Sequence, residues 1–75
     1  MIMAEINITQ DGRGMFPVAL DAAKPGDEIV YHIGEYAKGP HKKDALDSAE
    51  LGLCMIYQRR LNYGQFAYIA LKKKR

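Results

Sequence analysis

A chain of 75 residues, 48% hydrophobic and 27% charged, has the composition of one globular domain and excludes a disordered polyelectrolyte. Its longest apolar runs, MIMA and FAYIAL, fall far short of the roughly 20 residues of a membrane-crossing helix, no basic-then-apolar leader is visible, and a single cysteine excludes an internal disulfide, so a cytoplasmic protein without a membrane partner is expected. The net charge of +2 is split unevenly: residues 1–37 carry two cations against six anions, and residues 38–75 nine cations against three anions, a polarity that can orient the molecule toward a polyanion.

MIMAEINIT alternates, with Ile2, Ala4, Ile6 and Ile8 on one side, which is the period of a half-buried strand. QDGRG then signals a turn, from which a short return strand over Arg13 to Phe16 would make a hairpin. FPVALDAAKPG predicts a short helix with Pro17 in its first turn, Val18, Ala19, Ala22 and Ala23 as its apolar stripe, and Lys24-Pro25-Gly26 as its stop. DEIVYHIG predicts a strand apolar enough on both sides to be central or well covered, with Ile29, Tyr31 and Ile33 facing one way and Val30 and His32 the other. Asp27 and Glu28, next to a turn, are expected in solvent.

From Pro40 to Leu51 the apolar positions Ala45, Leu46 and Ala49 recur at helical spacing, and Gly52 supplies a left-handed stop. LCMIYQRR and FAYIALKK, joined by LNYGQ, predict a β-hairpin. The expected fold is a small α+β domain in which short helices pack on a three-stranded antiparallel sheet with a C-terminal β-hairpin. Residues 1–15 form a strand-and-turn extension, 16–73 the core and 72–75 a basic tail.

Over residues 16–73 this order of elements resembles the winged-helix plan, although the interval from Gly34 to Gly52 holds one helix and a turn where that fold normally has two helices. GDEIVYHIGEYAKGP followed by LGLCMIYQRRLNYGQFAYIAL is similar to short reading frames of bacteriophages and prophages, which implies a phage origin and, with it, the host cytoplasm.

The residues that carry chemistry are cations and rings. Arg59 and Arg60 precede the hairpin loop, Tyr63 lies in it, and Phe66 and Tyr68 begin the return strand. With Arg59 across from Phe66 or Gln65, guanidinium groups that fork onto phosphate would share one small surface with rings that stack on bases. Lys72, Lys73, Lys74 and Arg75 would add backbone contacts, and Lys42 and Lys43 would extend the patch. In the winged-helix resemblance the hairpin is the wing.

The second helix also exposes Asp44, Asp47 and Glu50, which would repel an anionic groove, so sequence readout by that helix is not expected. The same letters also serve a plainer end, since charged hairpin tips keep a sheet soluble and the rings can cover a small core.

His32, His41 and Cys54 lie too far apart for a zinc-site spacing, and no nucleophile, phosphate-binding glycine loop or paired-carboxylate motif is visible. The reading is a non-catalytic accessory protein without metal or cofactor that binds nucleic acid, DNA more than RNA. Its alternative is a small phage protein that modulates a host protein or enzyme through its acidic half. Either would gain from homodimerisation, with MIMAEINI as the pairing edge.

Overall fold

The computed structural model describes residues 4–74. The elements in chain order are β1 (Glu5–Asn7), α1 (Met15–Ala22), β2 (Glu28–Gly34), α2 (Lys42–Glu50), β3 (Cys54–Asn62) and β4 (Gln65–Lys72). Residues 1–3, including Ile2 of the first alternation, and Arg75 lie outside the described residues. No helix among those described is long and apolar enough to cross a membrane.

The domain is α+β, but its sheet is four-stranded and mixed, in the order β1-β2-β4-β3, and not three-stranded antiparallel. The fourth strand is β1, which pairs parallel with β2 through Ile6 and Ile29. It joins the sheet because Ile6 and Ile8 face the core, and because Asp27 holds its entry: Oδ1 accepts from the Ala4 N–H at 3.2 Å and Oδ2 from the Lys24 N–H at 2.9 Å. Asp27 is thus buried and structural, contrary to the expectation of a solvated turn charge. The return strand expected over Arg13 to Phe16 does not form, and the chain turns directly into α1 at Met15.

Both helices lie on one side of the sheet. Phe16, Ala19, Leu20 and Ala23 meet Ile29, Tyr31, Tyr68 and Ala70 there, together with Ala45 of α2 and Cys54 of β3. The buried positions 16, 19, 20 and 23 give the i, i+3, i+4, i+7 spacing of a helix face, so the stripe differs from the expected one: Val18 and Ala22 point to solvent. In α2 Ala45 is buried as expected, whereas Leu46 is exposed. Burying a large apolar side chain such as Phe16 or Ile29 stabilises by about 1.5–3 kcal/mol, so these few residues carry much of the fold.

A bulge in β2 resets its alternation. Val30 pairs with Ile69 but His32 with Tyr68, so Tyr31 is the extra residue and Tyr31 and His32 both stand against Tyr68. Ile33 is thereby turned to the face away from the helices and left exposed, opposite to its expected orientation. His32 fits there because Gly34 and Gly39 have no side chains; an added Cβ would come within 3.1 Å and 3.2 Å of its ring nitrogens. His41, buried at the start of α2, donates from Nε2 to the carbonyls of Ile8 (3.0 Å) and Asp11 (3.2 Å), fastening the loop after β1 to the second helix.

Candidate nucleic-acid interface

The hairpin forms as expected, with a turn at Tyr63-Gly64 in which Gly64 takes φ 77°. Its register separates the two arginines. Arg60, not Arg59, stands opposite Phe66, and Arg59 stands opposite Ala67. Neighbouring strand residues project to opposite faces, so Arg60 lies on the helix-bearing side, past the helices, and Arg59 on the open face.

On the open face Arg59 is engaged. Its Nη2 lies 2.8 Å from Glu28 Oε1 and its Nη1 3.3 Å from Glu5 Oε1, so one guanidinium ties β3 to β2 and β1 across β4. The Tyr57 hydroxyl also donates to Glu28. Hydrogen bonding from Tyr57, opposed by partial burial and reinforced by Arg59, holds the Glu28 carboxyl below its usual range. Burial and the bond to Glu28 raise the Tyr57 hydroxyl, and the carboxylate raises the Arg59 guanidinium further. Beneath this belt Val30, Ala67 and Ile69 form a second small apolar cluster. Glu28 is therefore not a solvated turn charge, and Arg59 is not a free phosphate contact.

The basic tail is also divided. Lys72 Nζ donates to the carbonyls of Leu20 and Ala23, each at 2.7 Å, closing the C-terminal end of α1 from a neighbouring strand. Lys73 and Lys74 are exposed, while Arg75 lies outside the described residues. Strand β4 runs from Gln65 at the hairpin tip to Lys72, so tip and tail stand about 23 Å apart. The expected gathering of cations at one end does not occur, because the tail leaves from the far end of the last strand.

At the tip end, a surface emerges that the sequence concealed. Gly34 pairs with Phe66, and the Tyr68 hydroxyl donates to the Glu35 carbonyl at 3.0 Å, so the loop after β2 leaves beside the hairpin tip. This loop brings Tyr36, 71% exposed, and Lys38 to the same end of the sheet as Arg60 and Tyr63, the last 93% exposed. The loop leads into α2, whose first residues, Lys42 and Lys43, are exposed, with Lys43 paired to Asp47 at 2.8 Å. Glu35 and Asp44 interrupt the cations. Of the expected contacts, Arg60, Tyr63, Lys42 and Lys43 belong to this half of the molecule and Lys72, Lys73 and Lys74 to the other. The sequence signal for Tyr36 was a bulky ring within a Gly- and Pro-bounded connection that has no core to cover.

The opposite end of the domain bears a groove of about 510 Å³ lined by Pro17, Leu20, Pro25 and Leu53, with Ser48 and Lys73 among its polar edges. Cys54 is buried, its thiol pushed up by burial and its Sγ 3.9 Å from the Ala45 carbonyl, an arrangement that keeps it protonated and packed. Among the described residues no group of three or more His, Cys, Asp or Glu side chains converges as a metal site would require. In comparisons with known proteins, no family model, curated protein or solved structure matched the chain.

Proposed function

We propose that the protein is a small, phage-encoded, non-catalytic accessory protein that binds nucleic acid through the hairpin-tip end of its sheet, in the manner of the wing of a winged-helix protein. The observation that carries this reading is the pair of nearly uncovered rings, Tyr36 and Tyr63, at the same end as Arg60 and Lys38. A tyrosine that covers core is buried, as Tyr31 and Tyr68 are. Two that do not, beside cations, suit unpaired bases, whose faces stack on rings while the cations follow the phosphates. Among the described residues Arg60 makes no ion pair, so its charge is available in a way that Arg59's is not.

The test is fluorescence anisotropy with single-stranded and duplex DNA oligonucleotides over a salt series. Engagement of three or four phosphates on a single strand gives a slope of roughly −2 to −3 in log K against log salt. Tyr36→Ala and Tyr63→Ala should each weaken single-strand binding by about 5- to 150-fold, the equivalent of about 1–3 kcal/mol per stacked base. Absence of binding at low salt, or indifference to both substitutions, rejects the proposal.

The second reading, modulation of a host protein, draws on the groove between α1, the start of β3 and the end of β4, whose apolar walls suit a partner side chain. A pull-down from nuclease-treated host lysate separates the two: a stoichiometric protein that survives nuclease favours modulation, and loss of all partners favours nucleic acid.

A further inference from the structure

We propose that the outer edge of β3 pairs with the same edge of a second copy of the chain, antiparallel and centred on Gln58, to form a continuous eight-stranded sheet. Among the described residues β3 is an edge strand, nine residues long, with no strand beyond it. The opposite edge, β1, spans three residues.

The direction of the edge's backbone groups follows from one bond. The Lys73 N–H donates to the Leu53 carbonyl at 3.1 Å, so Leu53 and Lys73 are a hydrogen-bonded pair. Alternation in an antiparallel ladder then makes Met55–Leu71, Tyr57–Ile69 and Arg59–Ala67 the bonded pairs. It turns the N–H and C=O groups of Ile56, Gln58 and Arg60 away from β4. A two-fold axis at Gln58 sets Gln58 opposite Gln58 and Ile56 opposite Arg60 of the copy. Those are the residues whose outward groups need partners, and the three central pairs supply about six hydrogen bonds.

The side chains agree with this register. On the open face, Tyr57 comes opposite Arg59 of the copy, placing a cation beside a ring, and Met55, 52% exposed, comes toward Leu61, 46% exposed and the extra residue of a bulge at which the regular ladder of β3 ends. No two like charges stand directly opposite. Shifting the axis by one residue toward the tip sets Arg59 against Arg59, and by half that step sets Gln58, whose backbone groups point outward, against Arg59, whose groups are bonded to β4, so that no ladder forms. The Arg59 side chains that meet diagonally in the Gln58 register already carry Glu5 and Glu28. The edge expected from sequence, in MIMAEINI, contributes instead to the pairing of β1 with β2.

An interface of one strand pair lies at the small end of specific interfaces, so dimerisation is expected at roughly micromolar to sub-millimolar concentration. Sedimentation velocity across that range should show passage from the chain mass to twice it. Amide exchange at Ile56, Gln58 and Arg60 should slow as concentration rises, with Tyr57 and Arg59 protected throughout. Gln58→Pro removes an outward N–H without touching the β4 ladder, and Met55→Lys removes the apolar contact; each should raise the dimer dissociation constant at least tenfold while circular dichroism stays that of the folded chain. If Gln58→Pro unfolds the chain, Met55→Lys decides. A monomer at about 1 mM, well above that expected range, or a dimer indifferent to Met55→Lys, overturns the proposal.

Discussion

Lys72 is a cation whose charge the fold itself uses. Its ammonium sits 2.7 Å from each of the Leu20 and Ala23 carbonyls, with Asp21 O at 3.5 Å. Helix α1 is eight residues long and has no basic residue in its last turn, so this ammonium, delivered by β4, is what neutralises the negative end of its dipole. Lys72→Met keeps most of the apolar stem and removes the charge and its donors. Hydrogen bonds to a charged group contribute about 1.5–3 kcal/mol, and the freed carbonyls lie near enough to the surface to be rehydrated, which favours the lower half of that range. For a domain of this size a loss of about 1.5–2 kcal/mol lowers Tm by roughly 6–16 °C. Urea denaturation followed by circular dichroism measures the first figure and a thermal scan the second. Affinity for single-stranded DNA, measured well below the melting temperature, should change less than about twofold, far below the tenfold that 1.4 kcal/mol would produce. A stability loss under about 0.5 kcal/mol, the size of an ordinary surface substitution, refutes the capping argument. A large drop in affinity at unchanged stability would return Lys72 to the proposed nucleic-acid surface.

Three other substitutions test the backbone and the entry of the sheet. Gly39 and Gly52 both adopt positive φ, 96° and 81°, but only at Gly39 would a Cβ meet the His32 ring. Gly52→Ala should cost about 1 kcal/mol from the left-handed conformation alone, and Gly39→Ala distinctly more; equal losses in urea titration would show that the His32 contact is slack. Asp27→Ala should cost about 1–3 kcal/mol by leaving the Ala4 and Lys24 amides without their acceptor. The Ala4 amide should then exchange with solvent much faster in NMR, and unchanged exchange would refute the role given to Asp27.

What was legible in the sequence was whatever neighbouring residues decide. The hairpin, the Gly52 stop, the interior position of β2 and the existence of both helices follow from local period and turn chemistry. The β2 bulge was not legible, because an extra residue in one strand is defined only against its partner, and Ile33 took the wrong face as a result. The charged side chains misled for the same reason. Lys72 finds its carbonyls about fifty positions away, Arg59 its carboxylates 31 and 54 positions away, and Asp27 the Ala4 amide 23 positions away. A sequence displays a charge and conceals its partner, so adjacent cations in QRR divide between two faces and KKKR leaves from the end remote from the loop.

The belt of Tyr57, Arg59 and Glu28 exists because the strand it crosses is thin. Strands lie about 4.8 Å apart, so side chains on β3 must span roughly 10 Å to reach β2. Arg59 does so over Ala67, its cross-strand neighbour, which is 3% exposed. Leucine at position 67 would stand in that path and lift the guanidinium from Glu28. The readable consequence is protonic: in the folded protein Glu28 titrates below its ordinary 4.5, held there first by Tyr57 and then, against burial, by Arg59. A carboxyl whose folded value is depressed contributes stability that is present above its unfolded value and disappears as pH falls through the folded one. The folded chain should therefore lose stability below about pH 4.5, and Glu28→Gln should flatten that part of the acid limb. In Ala67→Leu the carboxyl resonance of Glu28, followed by carbon-13 NMR, should titrate closer to 4.5, and stability should become less sensitive to salt as the exposed ion pairs are lost. If Glu28 keeps its depressed titration in Ala67→Leu, the Tyr57 bond alone sets it, and the small residue beneath Arg59 has no part in holding the open face together.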